Sequence, residues 1–143
     1  MAEEITLPRD ENDDERLLGA LYGLVEKCSH RLRIRSLLPR KAGLVIRYAD
    51  QAEVTREIPL PEVSFWDFDL YGPLKALFLK ACRRRVRVRF IRVWFRDFSH
   101  PTRQLSLFSE KCPVREKKVS VTRAVDCIRK KHGEALLRYG RTV

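Results

Sequence analysis

A chain of 143 residues that is 44% hydrophobic has room for one ordinary domain and a tail. No apolar run approaches the ~20 residues of a membrane span, and the acidic N-terminus does not read as a secretory leader. Lys and Arg number 30 against 19 acids, a formal net of +11; residues 1–15 hold seven acids and one base (−6), leaving +17 on the other 128 residues, a surplus that favours a polyanion such as nucleic acid.

Residues 3–8 read as a short extended segment, with Ile5 and Leu7 on one side and Pro8 ending it. Asn12 and Glu15 have the spacing of a capping box, and the early acids suit a helix N-terminus. Leu17, Leu21, Leu24, Val25, Cys28 and Leu32 then recur at helical spacing to about residue 33, with Arg31, Arg33 and Arg35 at the end. Leu37-Leu38-Pro39 reads as a turn. Residues 42–49 alternate, with Leu44, Ile46 and Tyr48 opposed to Val45 and Arg47, and residues 53–60 alternate again after a tight turn at Asp50-Gln51, which predicts a β-hairpin.

A second helix is expected from about Asp69 to Arg84, with Leu70, Leu74, Leu77, Phe78 and Ala81 as its stripe and Pro73 in its first turn. Residues 85–96 read as a long strand whose phase slips at Phe90-Ile91, where a β-bulge would absorb the shift. The order β-α-β-β-α-β predicts an α+β, ferredoxin-like sandwich, with two helices on one face of a four-stranded antiparallel sheet and the other face open. Residues 119–139 suggest one or two short helices. The expected organisation is a domain over 3–98, a linker over 99–116 and a short helical tail over 117–143.

The open face of such a sheet would carry Arg47, Arg87, Arg89 and, past the bulge, Arg92, a fair match to a run of phosphates. Trp94 either stacks on a base or packs. The run Arg83-Arg84-Arg85 is either part of the same footprint or a solvated helix end. Cys28, Cys82, Cys112 and Cys127 lie far apart with no C-x-x-C pair, and His30 near Cys28 completes no ligand set, so no metal site is expected; such thiols suit a reducing cytoplasm. Asp67-Phe68-Asp69 is an isolated pair of acids at a helix start, better read as capping charge than as a metal site.

Between these elements stands Gln104-Leu105-Ser106-Leu107-Phe108, with two large apolar residues in a poor helix or strand context. It is similar to the peptide by which bacterial polymerases and repair proteins hold the ring-shaped sliding clamp; the alternative is a short buried cap on the preceding domain. With Leu7-Pro8-Arg9-Asp10, Arg31-Leu32-Arg33, Leu44-Val45-Ile46-Arg47-Tyr48-Ala49-Asp50, Val88-Arg89-Phe90-Ile91-Arg92-Val93 and Ala124-Val125-Asp126-Cys127-Ile128-Arg129, the chain resembles the C-terminal part of a Y-family translesion DNA polymerase of the DNA polymerase IV (DinB) branch. Bulky Phe90-Ile91-Arg92 departs from a Gly common there in the family.

The resemblance implies a little-finger domain that lays its sheet on the DNA backbone, followed by a clamp peptide. In that mode Gln104 hydrogen-bonds at the pocket rim, Leu107 and Phe108 fill the pocket, Leu105 adds a contact and Ser106 tolerates change. Palm, fingers and thumb are missing, so this stretch by itself is expected to be a non-catalytic fragment, without cofactors of its own, and Mg²⁺ belongs with the full-length polymerase. A freestanding RNA-binding ferredoxin-like module and a catalytically dead clamp adaptor are the competing readings.

Overall fold

The computed structural model describes residues 1–101 and 113–140. The expected clamp peptide, 104–108, and Cys112 lie outside them. The elements in chain order are β1 (Ala2–Glu11), α1 (Asp14–Arg35), β2 (Leu38–Tyr48), β3 (Glu53–Pro59), α2 (Asp67–Ala81), β4 (Val88–Ser99) and α3 (Pro113–His132). The strands form one antiparallel sheet in the order β1-β4-β2-β3. β1 and β2 flank β4 and are joined by α1, while β3 and β4 flank β2 and are joined by α2. Each helix is therefore the crossover of a split β-α-β unit, the α+β, ferredoxin-like arrangement expected.

The periodicities explain the layers. Leu17, Leu21, Leu24, Val25, Cys28 and Leu32 of α1 and Leu70, Leu74, Leu77 and Phe78 of α2 are all buried, and they meet Ala42, Leu44, Ile46 and Tyr48 of β2 and Val88, Ile91, Val93 and Phe95 of β4. Asp13, not Asn12, caps α1, accepting from the Glu15 N–H at 3.0 Å. Ser36 closes the helix with φ 51°, its N–H on the Arg33 carbonyl.

Several boundaries differ from expectation. β1 continues past Pro8 to Glu11, because it is an edge strand and its pairing with β4 is interrupted between Thr6 and Glu11, where a missing N–H removes no ladder bond. Leu38-Pro39 is not a turn but the start of β2, paired with Ser99 and Phe98. α2 begins at Asp67, so Pro73 stands in its second turn and deprives the Asp69 carbonyl of its helical donor. α2 also stops at Ala81, which leaves Arg83, Arg84 and Arg85 beyond the helix. β4 starts only at Val88, and α3 begins at Pro113 as a single helix, so β4 and α3 both reach into the stretch expected as linker.

α3 lies on the outside of the helical layer and is held mainly by polar contacts. Arg33 of α1 donates from Nε and Nη2 to Asp126 at 2.9 and 3.0 Å; Arg115 grips Asp69 of α2 at 2.8 and 2.7 Å; Arg129 pairs with the buried Glu26. Arg115 and Lys118 lie over Phe68, and Arg123 over Trp66. Only Thr122 of α3 is buried, and Val114, Val121 and Ile128 stay exposed.

Candidate nucleic-acid interface

Among the described residues nothing covers the face of the sheet opposite the helices, and the register decides what stands on it. Ile91, Val93 and Phe95 of β4 point into the core, so Arg92, Trp94 and Arg96 point outward. The phase shift occurs one residue earlier than expected. Phe90 pairs with Arg47 and Val88 with Tyr48, so Arg89 is the extra residue of the bulge and Phe90 faces outward. Lys41, Gly43, Val45 and Arg47 of β2 lie directly opposite Arg96, Trp94, Arg92 and Phe90.

Of the four expected arginines, the fold brings Arg47 and Arg92 onto this face, places Arg89 at the bulge, and leaves Arg87 exposed before β4 begins. Arg87 is tied to the sheet by its carbonyl, which accepts the Ala49 N–H at 2.8 Å. Sequence reasoning missed Lys41 and Arg96, which only the cross-strand register puts beside the others.

Arginine and aromatic rings interleave here. The Arg47 guanidinium lies 4.9 Å from the Phe90 ring centroid, and that of Arg96 lies 5.0 Å from Trp94. Trp94 lies across β2 at Gly43, and a Cβ at that glycine would stand 2.1 Å from the Trp94 ring. Gly43 is thus required by a close approach of side chain to backbone.

Arg47, Arg89, Arg92 and Arg96 each also have an acidic neighbour from β1 or β3. Arg47 meets Glu53 at 3.0 Å, Arg92 meets Glu4 at 3.8 Å, Arg89 meets Asp10 at 3.0 Å, and Arg96 pairs with Glu57. The hydrogen bond to Asp10 holds the exposed Arg89 guanidinium above its usual pKa. Exposed pairs of this kind contribute only about 0–1 kcal/mol, so exchanging a carboxylate for a phosphate oxygen costs little. Past α2, Arg84 is occupied by Asp50 at 2.7 Å and by the Tyr48 ring, while Arg83, Arg85 and Arg87 are exposed and form no ion pair with another described residue.

Other candidate chemistry is dispersed. Among the described residues no three His, Cys, Asp or Glu side chains converge to hold a metal. Cys28 is buried in the core, where burial pushes its thiol up to about 12, and His30 lies 3.3 Å from Asp126, not with a cysteine. Asp67 accepts from the Tyr22 hydroxyl at 3.1 Å, while Asp69 accepts from Ser64 and Arg115, so the two carboxylates do not share a site. No helix among the described residues is long and apolar enough to cross a membrane.

A four-stranded antiparallel sheet backed by two crossover helices, with its free face lined by arginine and aromatic side chains, has the architecture of a polymerase little-finger domain. Residues 1–107 match the impB/mucB/samB family C-terminal domain, and the chain belongs to that family, the C-terminal domain of Y-family DNA polymerases. It is similar to DNA polymerase IV 1 of Bacillus subtilis (strain 168), with 28% identity over 141 residues, covering 96% of this chain and 33% of the relative. The chain thus spans about a third of the length of that relative. In fold it is similar to DinB from Sulfolobus solfataricus (TM-score 0.55, 16% identity, 64% of this chain and 26% of the other). It is likewise similar to the insertion ternary complex of Dbh DNA polymerase (TM-score 0.54, 16% identity, 70% and 28%).

Proposed function

We propose that this chain is the DNA-gripping and clamp-tethering part of a translesion polymerase of the DNA polymerase IV type. The observation that carries the reading is the free sheet face of a Y-family C-terminal domain, on which Lys41, Arg47, Arg92 and Arg96 alternate with Phe90 and Trp94. Arginines at strand spacing suit successive phosphates and give affinity without sequence readout. Residues 104–108 supply the second contact, with Leu107 and Phe108 as anchors for the bacterial sliding clamp. Polymerisation, with its Mg²⁺ and metal-holding carboxylates, belongs to the parts of the relatives that this chain does not cover, and a cytoplasmic location goes with the reading.

Primer-template DNA and the clamp should therefore bind the same molecule at once, through surfaces that mutate independently. Replacing Leu107 and Phe108 by Ala should remove the clamp and spare DNA; replacing the sheet arginines should do the reverse. Loss of both partners by either change in a folded protein would defeat the proposal. A freestanding RNA-binding module is the second reading, favoured by Phe90 and Trp94 on a central strand; it requires single-stranded RNA to outcompete duplex DNA at equal salt.

A further inference from the structure

Outside the helical layer, α3 presents a second basic surface. The helix holds seven basic residues against two acids, a net of +5, and it lies wholly beyond residues 1–107, the part matched to the family. Its inner charges are used within the fold: Asp126 holds Arg33, Arg115 holds Asp69, and Arg129 holds Glu26. Lys117, Arg123, Lys130 and Lys131 differ, because all four are exposed and form no ion pair with another described residue. Arg123 is braced instead by an aromatic ring, its guanidinium 5.8 Å from the Trp66 centroid. A docked helix holds such cations in a fixed array, so less ordering opposes binding than on a loose tail.

Helical geometry sorts these positions. The docked side of α3 centres on the buried Thr122, and Lys117, Ser120, Ala124 and Lys131 fall on the opposite side. Lys117 and Lys131 stand about 21 Å apart along the axis, and the small Ser120 and Ala124 leave the helix surface low between them. That span exceeds the ~12 Å width of the DNA major groove, so the two lysines can reach phosphates on both of its walls while the surface between them lies over the groove. Arg123 and Lys130 follow one flank of the same helix. This outer side and the open sheet face point away from each other, with the α1–α2 layer between them and about 10 Å for each packed layer, so one straight duplex cannot lie on both. We propose that the outer side of α3 is a second DNA-binding surface, which grips the phosphates of a separate duplex segment without reading its sequence. The choice of DNA as the polyanion rests on the proposed function; the site shares no residue with the sheet face.

The test is fluorescence anisotropy of a labelled short duplex at about 20 mM salt, where few contacts still hold DNA. Arg47→Ala/Arg92→Ala/Arg96→Ala silences the sheet face of the full chain, and this variant should keep a residual, weaker binding. Adding Lys117→Gln/Arg123→Gln/Lys130→Gln/Lys131→Gln should remove it, with a further flattening of log K against log salt by about 3.6, at ~0.9 for each phosphate released. Sedimentation should find two duplexes on the unaltered chain and one on the chain carrying only the four α3 substitutions. In the sheet variant, whose α3 is untouched, duplex should shift the amide signals of residues 117–131. Unchanged binding after loss of the four cations, absence of shifts in α3, or equal competition by polyglutamate at the same charge concentration overturns the proposal. Its failure is distinguishable from that of the proposed function. Binding lost through the α3 substitutions but not through the sheet substitutions leaves α3 standing and removes the sheet face, and the reverse pattern removes α3 alone.

Discussion

Gly43→Ala tests how the open face is built. The new Cβ would lie 2.1, 2.4 and 2.6 Å from Cζ2, Cε2 and Cη2 of Trp94, far inside the ~3.5–4.0 Å of carbon contact. The backbone of β2 is fixed by β3 and β4 on either side, so the ring must yield, and it can, because its other side faces solvent. Lifting it exposes on the order of 50–80 Å² of apolar surface, a cost of about 1–2 kcal/mol. Removing a glycine from a strand returns about 0.5–1 kcal/mol. The net is a destabilisation of about 0–1.5 kcal/mol, a fall in Tm of at most ~10 °C. Fluorescence separates this small effect from none. In a Trp66→Phe background Trp94 is the sole tryptophan, and Gly43→Ala should shift its emission to the red and increase quenching by iodide. An unchanged spectrum with an unchanged Tm would mean that the indole does not rest on Gly43.

Three further outcomes can be measured. Asp126→Ala leaves the largely buried Arg33 guanidinium without its carboxylate, and losing a charge-assisted pair should weaken α3 docking by about 1.5–3 kcal/mol; amide exchange should accelerate across 113–132 and not across 14–35, and uniform rates would refute it. Burial raises the Asp69 carboxyl, but hydrogen bonds from Arg115 and Ser64 outweigh it and hold the group below its usual value. Its contribution is present above about pH 4 and lost as pH falls through the lower folded value, so the Tm difference between wild type and Asp69→Asn should shrink on acidification, and a constant difference would contradict the pairing. Glu26 works the other way, since burial raises it despite Arg129. In the clamp titration, Gln104→Ala should cost about 0.5–1.5 kcal/mol and Leu107→Ala/Phe108→Ala several times that; equal losses would place the anchor elsewhere in the peptide.

The helices were legible because their apolar positions repeat at the helical period without interruption, from Leu17 to Leu32 and from Leu70 to Ala81. The hairpin was legible for the same reason at period two. The run from Val88 to Ile91 was ambiguous: its two inward residues enclose two others, and either Arg89 or Phe90 satisfies that pattern as the bulge. Only pairing with Arg47 and Tyr48 decides for Arg89, and that decision turns Phe90 outward beside Arg47. The carboxylates beside Arg92 and Arg96 were illegible because Glu4 and Glu57 reach them across strands distant in sequence, whereas Glu53 sits opposite Arg47 across the hairpin turn, six residues on. The docking of α3 rests on scattered single ion pairs with no periodic signature, so its end was readable as helical but its seat was not.

In the proposed function the open sheet face meets DNA phosphates. The most direct measurement is the salt dependence of duplex binding for wild type and for Arg47→Ala/Arg92→Ala/Arg96→Ala. Each phosphate neutralised contributes about −0.9 to the slope of log K against log salt, so the triple variant should lose affinity and flatten the slope by about 2.7. Unchanged affinity and slope in a variant that melts as a folded protein would move the DNA contact to another surface.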